Sequence, residues 1–163
     1  MIQFKKLIDA LDQQNARYVI IGGLAAVIHG SAYITNDLDI CYERSEKNLT
    51  SLVKALFPFH PQLRGPKEDN LPFLFDERTL KNGMNFTLKT DLGDIDLFGE
   101  IQGIGSYKQM IPNAEKMELF NHPCLIISLP DLILSKKSAG RKKDLLVLDE
   151  LEALLEIRTK SKK

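Results

Sequence analysis

Residues 19–41 read VIIGGLAAVIHGSAYITNDLDIC. The apolar run Tyr18-Val19-Ile20-Ile21 suits a strand covered on both faces, and Gly22-Gly23 lets the backbone turn tightly into a short helix. The first amide groups of a helix have no partner within it and carry partial positive charge, so this turn predicts an anion cradle at Gly22 and Gly23. A second strand then opens with Asp37 and Asp39. Side chains alternate along a strand, so the two carboxylates emerge on one face. A divalent cation relieves their repulsion, and hard oxygen ligands beside a phosphate site favour Mg²⁺ over zinc, with Mn²⁺ as the alternative. Each half has a bland counterpart. Strand, Gly-Gly and helix is a common α/β sequence, and Asp-x-Asp often caps a turn. Together they put an anion cradle and a metal site at the ends of neighbouring strands, joined by a helix too short for an ordinary parallel crossover.

The 163 residues suffice for one domain with its own core. With 44% apolar residues, 27% charged residues and zero formal net charge, no overall field draws the chain to nucleic acid or anionic lipid. No apolar run approaches a membrane span, and the N-terminal pattern is amphipathic, which predicts a cytoplasmic protein with no membrane partner. Cys41 and Cys124 are too few and too far apart for a disulfide framework or a thiolate zinc site, and read as small apolar fillers. Three scattered histidines without HExxH give zinc chemistry no support.

Outward from the central stretch, Phe4, Leu7, Ile8 and Leu11 repeat at helical spacing, and Leu49, Leu52, Val53 and Leu56 form the stripe of a helix over 46–57 that Pro58 ends. Residues 60–82 are rich in Pro, Gly and charge and predict an irregular excursion, with a short strand or helical turn near Phe73. Such a loop is either a substrate lid or a tolerated surface insertion. Residues 84–90 and 93–98 alternate about Asp91-Leu92-Gly93 as an antiparallel hairpin, with Ile95 and Leu97 facing the core and Asp94 and Asp96 sharing the other face. Residues 116–120 and 124–127 predict another hairpin about Asn121-His122-Pro123, with His122 exposed. His29 ends the short second helix, where a partly charged imidazole suits the dipole. Ser128-Leu129-Pro130-Asp131 has the form of a helix cap, and the helix after it carries Leu132, Ile133, Lys136, Ala139 and Gly140 on one stripe. A lysine on an apolar face needs an anion, either a core carboxylate or a ligand phosphate. Asp144 starts a last helix with a stripe through Leu145, Leu148, Leu151 and Leu155, and residues 158–163 predict a disordered tail.

IGG, the helix ending in His29-Gly30, and TNDLDI resemble the nucleotidyltransferase superfamily typified by DNA polymerase beta. Within it, the chain is similar to small bacterial nucleotidyltransferase-like proteins related to the abortive-infection toxin group. Two positions depart from the pattern: many members carry Gly-Ser where Gly22-Gly23 stands, and close relatives often have an arginine at the place of Tyr33. The resemblance spans nearly the whole chain, 1–163. It implies an α/β fold with a mixed β-sheet and helices packed mainly on one face. It also implies a third catalytic carboxylate from the second Asp-x-Asp pair, Asp96 by position, with Asp94 as a solvated edge residue. Lys136 and Arg141 are implied as triphosphate contacts. The implied reaction is Mg²⁺-dependent transfer of a nucleoside monophosphate from a nucleoside triphosphate, ATP in the first instance, with pyrophosphate release. The acceptor is open: a small alcohol or amine, a protein hydroxyl, or a nucleic-acid end, with nucleic acid entering only in that role. Other readings of the same scaffold are a module that binds nucleotide or a protein partner without turnover, as in a toxin–antitoxin pair, and a metal-dependent phosphohydrolase.

Overall fold

The computed structural model describes residues 1–65 and 72–161. In chain order the elements are α1 (Phe4–Gln13), β1 (Tyr18–Ile21), α2 (Gly22–Ile28), β2 (Asp37–Tyr42), α3 (Glu46–Leu56), a 3₁₀ turn (Phe57–Phe59), β3 (Gln62–Leu63), α4 (Glu77–Asn82), β4 (Asn85–Thr90), β5 (Gly93–Phe98), β6 (Glu100–Ile101), β7 (Gly105–Ser106), α5 (Tyr107–Met110), β8 (Glu115–Leu119), β9 (His122–Ile126), α6 (Leu129–Ala139) and α7 (Lys142–Ser161). Seven strands form one sheet in the order β3-β4-β5-β2-β1-β9-β8, and β6 and β7 pair separately. The large sheet is mixed. β2 runs parallel to β5 and β1 parallel to β9, while β1/β2, β3/β4, β4/β5 and β8/β9 are antiparallel. The short α2 therefore makes a β1–α2–β2 connection between antiparallel neighbours, as its length requires.

One apolar cluster joins Leu7, Ile8 and Leu11 of α1, Leu49, Leu52 and Leu56 of α3, and Leu38 and Ile40 of β2, so these helices cover the sheet face opposite Asp37 and Asp39. Three helices sit differently: α2 packs on α6, and α6 on α7, and they flank the carboxylates. Buried Asn48 ties this frame together. Its side chain accepts from the Arg17 amide (2.6 Å) and donates to the carbonyls of Arg17 (2.9 Å) and Glu43 (2.7 Å), joining the start of β1 and the end of β2 to α3.

The structure corrects several sequence expectations. Within 60–82 there is no regular element at Phe73. Instead Gln62 and Leu63 pair with β4, and Asp76 precedes α4 as its N-cap, its carboxylate accepting from the Thr79 amide (2.8 Å), with Leu80 of the helix fully buried. Residues 66–71 of that stretch lie outside the described residues. In α7 the buried positions are Asp144, Val147, Leu148 and Leu151, so the inward stripe starts at Asp144 and Leu145 faces solvent. The same helix continues through Ser161, because Arg158 is held by His29 (3.0 Å) and Glu115 (3.4 Å). Residues 158–161 are thus ordered helix, and 162–163 lie outside the described residues.

His122 is not free in solvent. Its Nδ1 meets Asp12 (2.8 Å) and its Nε2 meets Asp9 (2.6 Å), one helical turn apart on α1. Carboxylates only accept, so both ring nitrogens donate and the ring is held as imidazolium. The hydrogen bond to Asp9 leads in pushing its pKa up. His29 meets different partners: its Nε2 donates to the Ile127 carbonyl (2.7 Å), and its Nδ1 accepts from Arg158 Nη2 (3.0 Å).

Asn48→Ala removes three part-buried hydrogen bonds, leaving the Arg17 amide and the Glu43 carbonyl without these partners, and is expected to cost about 2 kcal/mol or more in urea-induced unfolding. A loss within a few tenths would show that these bonds do not tie the strands to α3.

Candidate functional site

The site is a product of strand register. β1 ends at Ile21 opposite Asp39, and Asp39 in turn lies beside Asp96 on the parallel strand β5. Asp37 is in register with Asp94. Since side chains two residues apart share a face, Asp37, Asp39 and Asp96 converge: each offers a carboxylate oxygen, and these oxygens lie within 4.8 Å of one another. Asp94 stands outside this group, with its side chain 42% exposed.

Each member of the triad has a different keeper. The Thr35 hydroxyl lies 3.0 Å from the Asp37 carbonyl and 3.4 Å from its carboxylate. Asp39 packs against the bare Cα of Gly22, which has φ +65°, and a side chain there would strike the Asp39 carboxylate. Glycine is thus demanded twice over, by backbone hand and by contact. Gly23 is equally close to Thr35 and Tyr33. Asp96 is held by Arg64, whose Nη2 donates to both carboxylate oxygens at 2.8 and 3.1 Å.

Crowding like charges has a measurable consequence. Two ionised carboxylates at this spacing repel by roughly 3 to 4 kcal/mol at an effective dielectric of about 20. Burial, with Asp37 and Asp96 adding to it, pushes the Asp39 pKa up to about 8. Burial also raises Asp96, partly offset by Arg64. Among the described residues the buried Oδ1 of Asp39 has no hydrogen-bond partner. An oxygen-only donor set, mutual repulsion and an orphaned buried oxygen together fit a hard divalent cation, and these three residues are the ones able to hold it.

Lys136 and Arg141 lie across the site, but the anion they meet is a carboxylate. Lys136 Nζ is 3.4 Å from Asp144 Oδ1, and Arg141 donates from Nε to Asp144 Oδ2 at 2.7 Å. The Asp144 side chain is 2% exposed. Burial works to raise its pKa, yet Arg141 and Lys136 outweigh it and hold the group ionised. Of the two anions open for Lys136, a core carboxylate or a ligand phosphate, the structure supplies the first. Gly22, Asp39, Lys136, Arg141 and Asp144 also line a cleft of about 400 Å³ that continues past Asn85, Glu100 and Gln102, a volume suited to a small ligand. A narrower recess of about 50 Å³ leads from it past Gly23, Tyr33, Asp37 and Lys143.

No protein-family model matches the chain, and no curated protein matches it. Among solved structures it is similar to a Thermotoga maritima protein described as a "putative nucleotidyltransferase", at 14% identity and a TM-score of 0.50, over 98% of this chain and 96% of that one. The fold is nucleotidyltransferase-like. On this nucleotidyltransferase-like sheet the described residues contain no helix long and apolar enough to cross a membrane.

Two site residues escaped the sequence reading. Arg64 lies in the stretch taken as irregular, and its partner strand is set by a two-residue pairing, Gln62 with Lys89 and Leu63 with Leu88, that leaves no periodic trace. Asp144 was read only as a helix start. Its signal is the spacing Lys136, Arg141, Asp144, which only the turn at Gly140, in the left-handed conformation, folds into one cluster.

Because the Asp39 pKa is raised by folding, protonation of Asp39 favours the metal-free fold below the ordinary carboxylate pKa, and that contribution is lost as pH rises toward 8. Mg²⁺ replaces the proton, so the rise in Tm on adding MgCl₂ is expected to be larger at pH 8 than at pH 5.5 and to vanish in Asp39→Asn. A pH-independent rise, or one retained in the variant, would place the cation elsewhere.

Proposed function

We propose that this protein is a metal-dependent nucleotidyltransferase that moves a nucleoside monophosphate from a nucleoside triphosphate, ATP in the first instance, to an acceptor hydroxyl or amine. The observation that carries the reading is the convergence of Asp37, Asp39 and Asp96, with Asp39 lining the cleft beside Gly22 and its buried oxygen unpartnered among the described residues. The fold likeness supports the same reading.

In this reading Asp37, Asp39 and Asp96 hold Mg²⁺, or Mn²⁺ in its place, which supplies neutralisation of phosphate charge in the transition state. The amides at the start of α2, around Gly22 and Gly23, receive the terminal phosphates. Lys136 and Arg141 lie along the same cleft and orient the triphosphate while staying anchored to Asp144. The acceptor oxygen or nitrogen attacks the α-phosphorus. That bond forms as the bond to the bridging oxygen of the β-phosphate breaks, pyrophosphate leaves, and Asp96 takes the acceptor's proton. Chemistry of this kind depends on positioning and charge, so a cluster of carboxylates on rigid neighbouring strands is a suitable platform.

Purified protein incubated with each radiolabelled triphosphate, Mg²⁺ and pools of candidate acceptors is expected to release pyrophosphate, and Asp37→Asn and Asp39→Asn are expected to fall to background while retaining the native far-ultraviolet circular dichroism spectrum. Orthophosphate release or nucleic-acid cleavage would instead identify a phosphohydrolase. Tight nucleotide binding without release would identify a binding module.

A further inference from the structure

Asp96 differs from the other two carboxylates in how it is held. Asp37 sits beside a hydroxyl and Asp39 against a glycine Cα, but among the described residues the hydrogen-bond donor to Asp96 is a guanidinium from a separate strand edge. That guanidinium is itself fixed. The Arg64 amide donates to the Thr87 carbonyl (2.9 Å), and its Nη1 donates to the Leu88 carbonyl (3.0 Å). Asp94 adds a second anion at 3.6 Å. The side chain therefore lies across β4 in one conformation and presents Nη2 to Asp96 on β5.

We propose that Arg64 is a positioning residue of the site: by donating to both oxygens of Asp96, it sets the orientation in which that carboxylate joins Asp37 and Asp39 around a divalent cation. The inference rests on the reading of these three aspartates as metal ligands. A carboxylate offers about four lone-pair sites, and Arg64 uses one on each oxygen, so Asp96 keeps acceptor capacity toward Asp39. Because one guanidinium nitrogen is tied to the Leu88 carbonyl and the other reaches both oxygens of Asp96, the planar group links strand and carboxylate in a way that a lysine, a single flexible point charge, does not. Partners one shell out from a metal typically matter about 10- to 100-fold in affinity.

Charge and orientation forecast opposite signs. Deleting a positive charge beside three carboxylates strengthens cation binding by Coulomb's law, so weaker binding in its absence isolates the loss of orientation.

The test is Mn²⁺ titration of the full-length protein without nucleotide, followed by the electron paramagnetic resonance signal of free Mn²⁺. Arg64→Gln is expected to weaken Mn²⁺ binding by about 10-fold or more, measured at a temperature at which the far-ultraviolet circular dichroism spectrum shows the metal-free variant folded. Arg64→Lys keeps the charge and is expected to recover only part of the loss. Asp94→Asn, which removes the other anion near Arg64, is expected to bind much as wild type does. Unchanged or tighter binding in Arg64→Gln, with wild-type binding intact, would overturn the positioning role alone and make Arg64 a competing counter-ion. Failure of the wild-type protein to bind Mn²⁺ would overturn the metal-site reading and this inference with it.

Discussion

Repulsion among Asp37, Asp39 and Asp96 is the constraint around which the rest of the structure is arranged. A cost of roughly 3 to 4 kcal/mol for each ionised pair exceeds what an ordinary hydrogen bond returns, about 1 kcal/mol. The native state can keep such a cluster only with a proton or a cation between the carboxylates. The raised pKa of Asp39 is the first solution, and Arg64 on Asp96 is a partial form of the second. Among the described residues neither provides a partner for the buried Asp39 oxygen, which leaves that oxygen with unused acceptor capacity.

The surrounding architecture answers to the same constraint. α1 and α3 bury the opposite sheet face around Leu38 and Ile40, so the strands that carry the carboxylates are fixed by apolar packing and not by the carboxylates themselves. On the polar side, Asp144 gathers Lys136 and Arg141 at the cleft wall. A buried anion with two cations leaves a net positive charge on a cleft that Asp39 of the acidic triad also lines. An anionic ligand that also carries a metal suits that polarity.

Much of this was legible in the sequence because it follows from local rules. Period-two alternation put Asp37 with Asp39 and Asp94 with Asp96, Gly22-Gly23 marked the turn, and the shortness of α2 excluded a parallel β1/β2 pair. The choice of Asp96 over Asp94 came from resemblance, since alternation treats the two alike. What alternation does not reveal is register between strands distant in sequence, here Asp39 beside Asp96, and that register decides which carboxylates meet. Arg64 was hidden for the same reason, as were the Asp9–His122–Asp12 and His29–Arg158 contacts, each joining residues about a hundred or more positions apart. In α7 Leu148 and Leu151 face inward as their spacing predicts, but the stripe starts at Asp144 rather than Leu145, because a charged side chain occupies a core-facing position that an apolar pattern passes over.

The central claim is that three aspartates from two strands share one divalent cation beside Gly22. Anomalous diffraction from crystals grown with Mn²⁺ tests it most directly. The expected result is a manganese peak within metal–oxygen bonding distance, about 2.1 Å, of Asp37, Asp39 and Asp96, with the Asp39 oxygen now coordinated. A peak at Asp94 or on another face, with Asp39 still unpartnered, would contradict it.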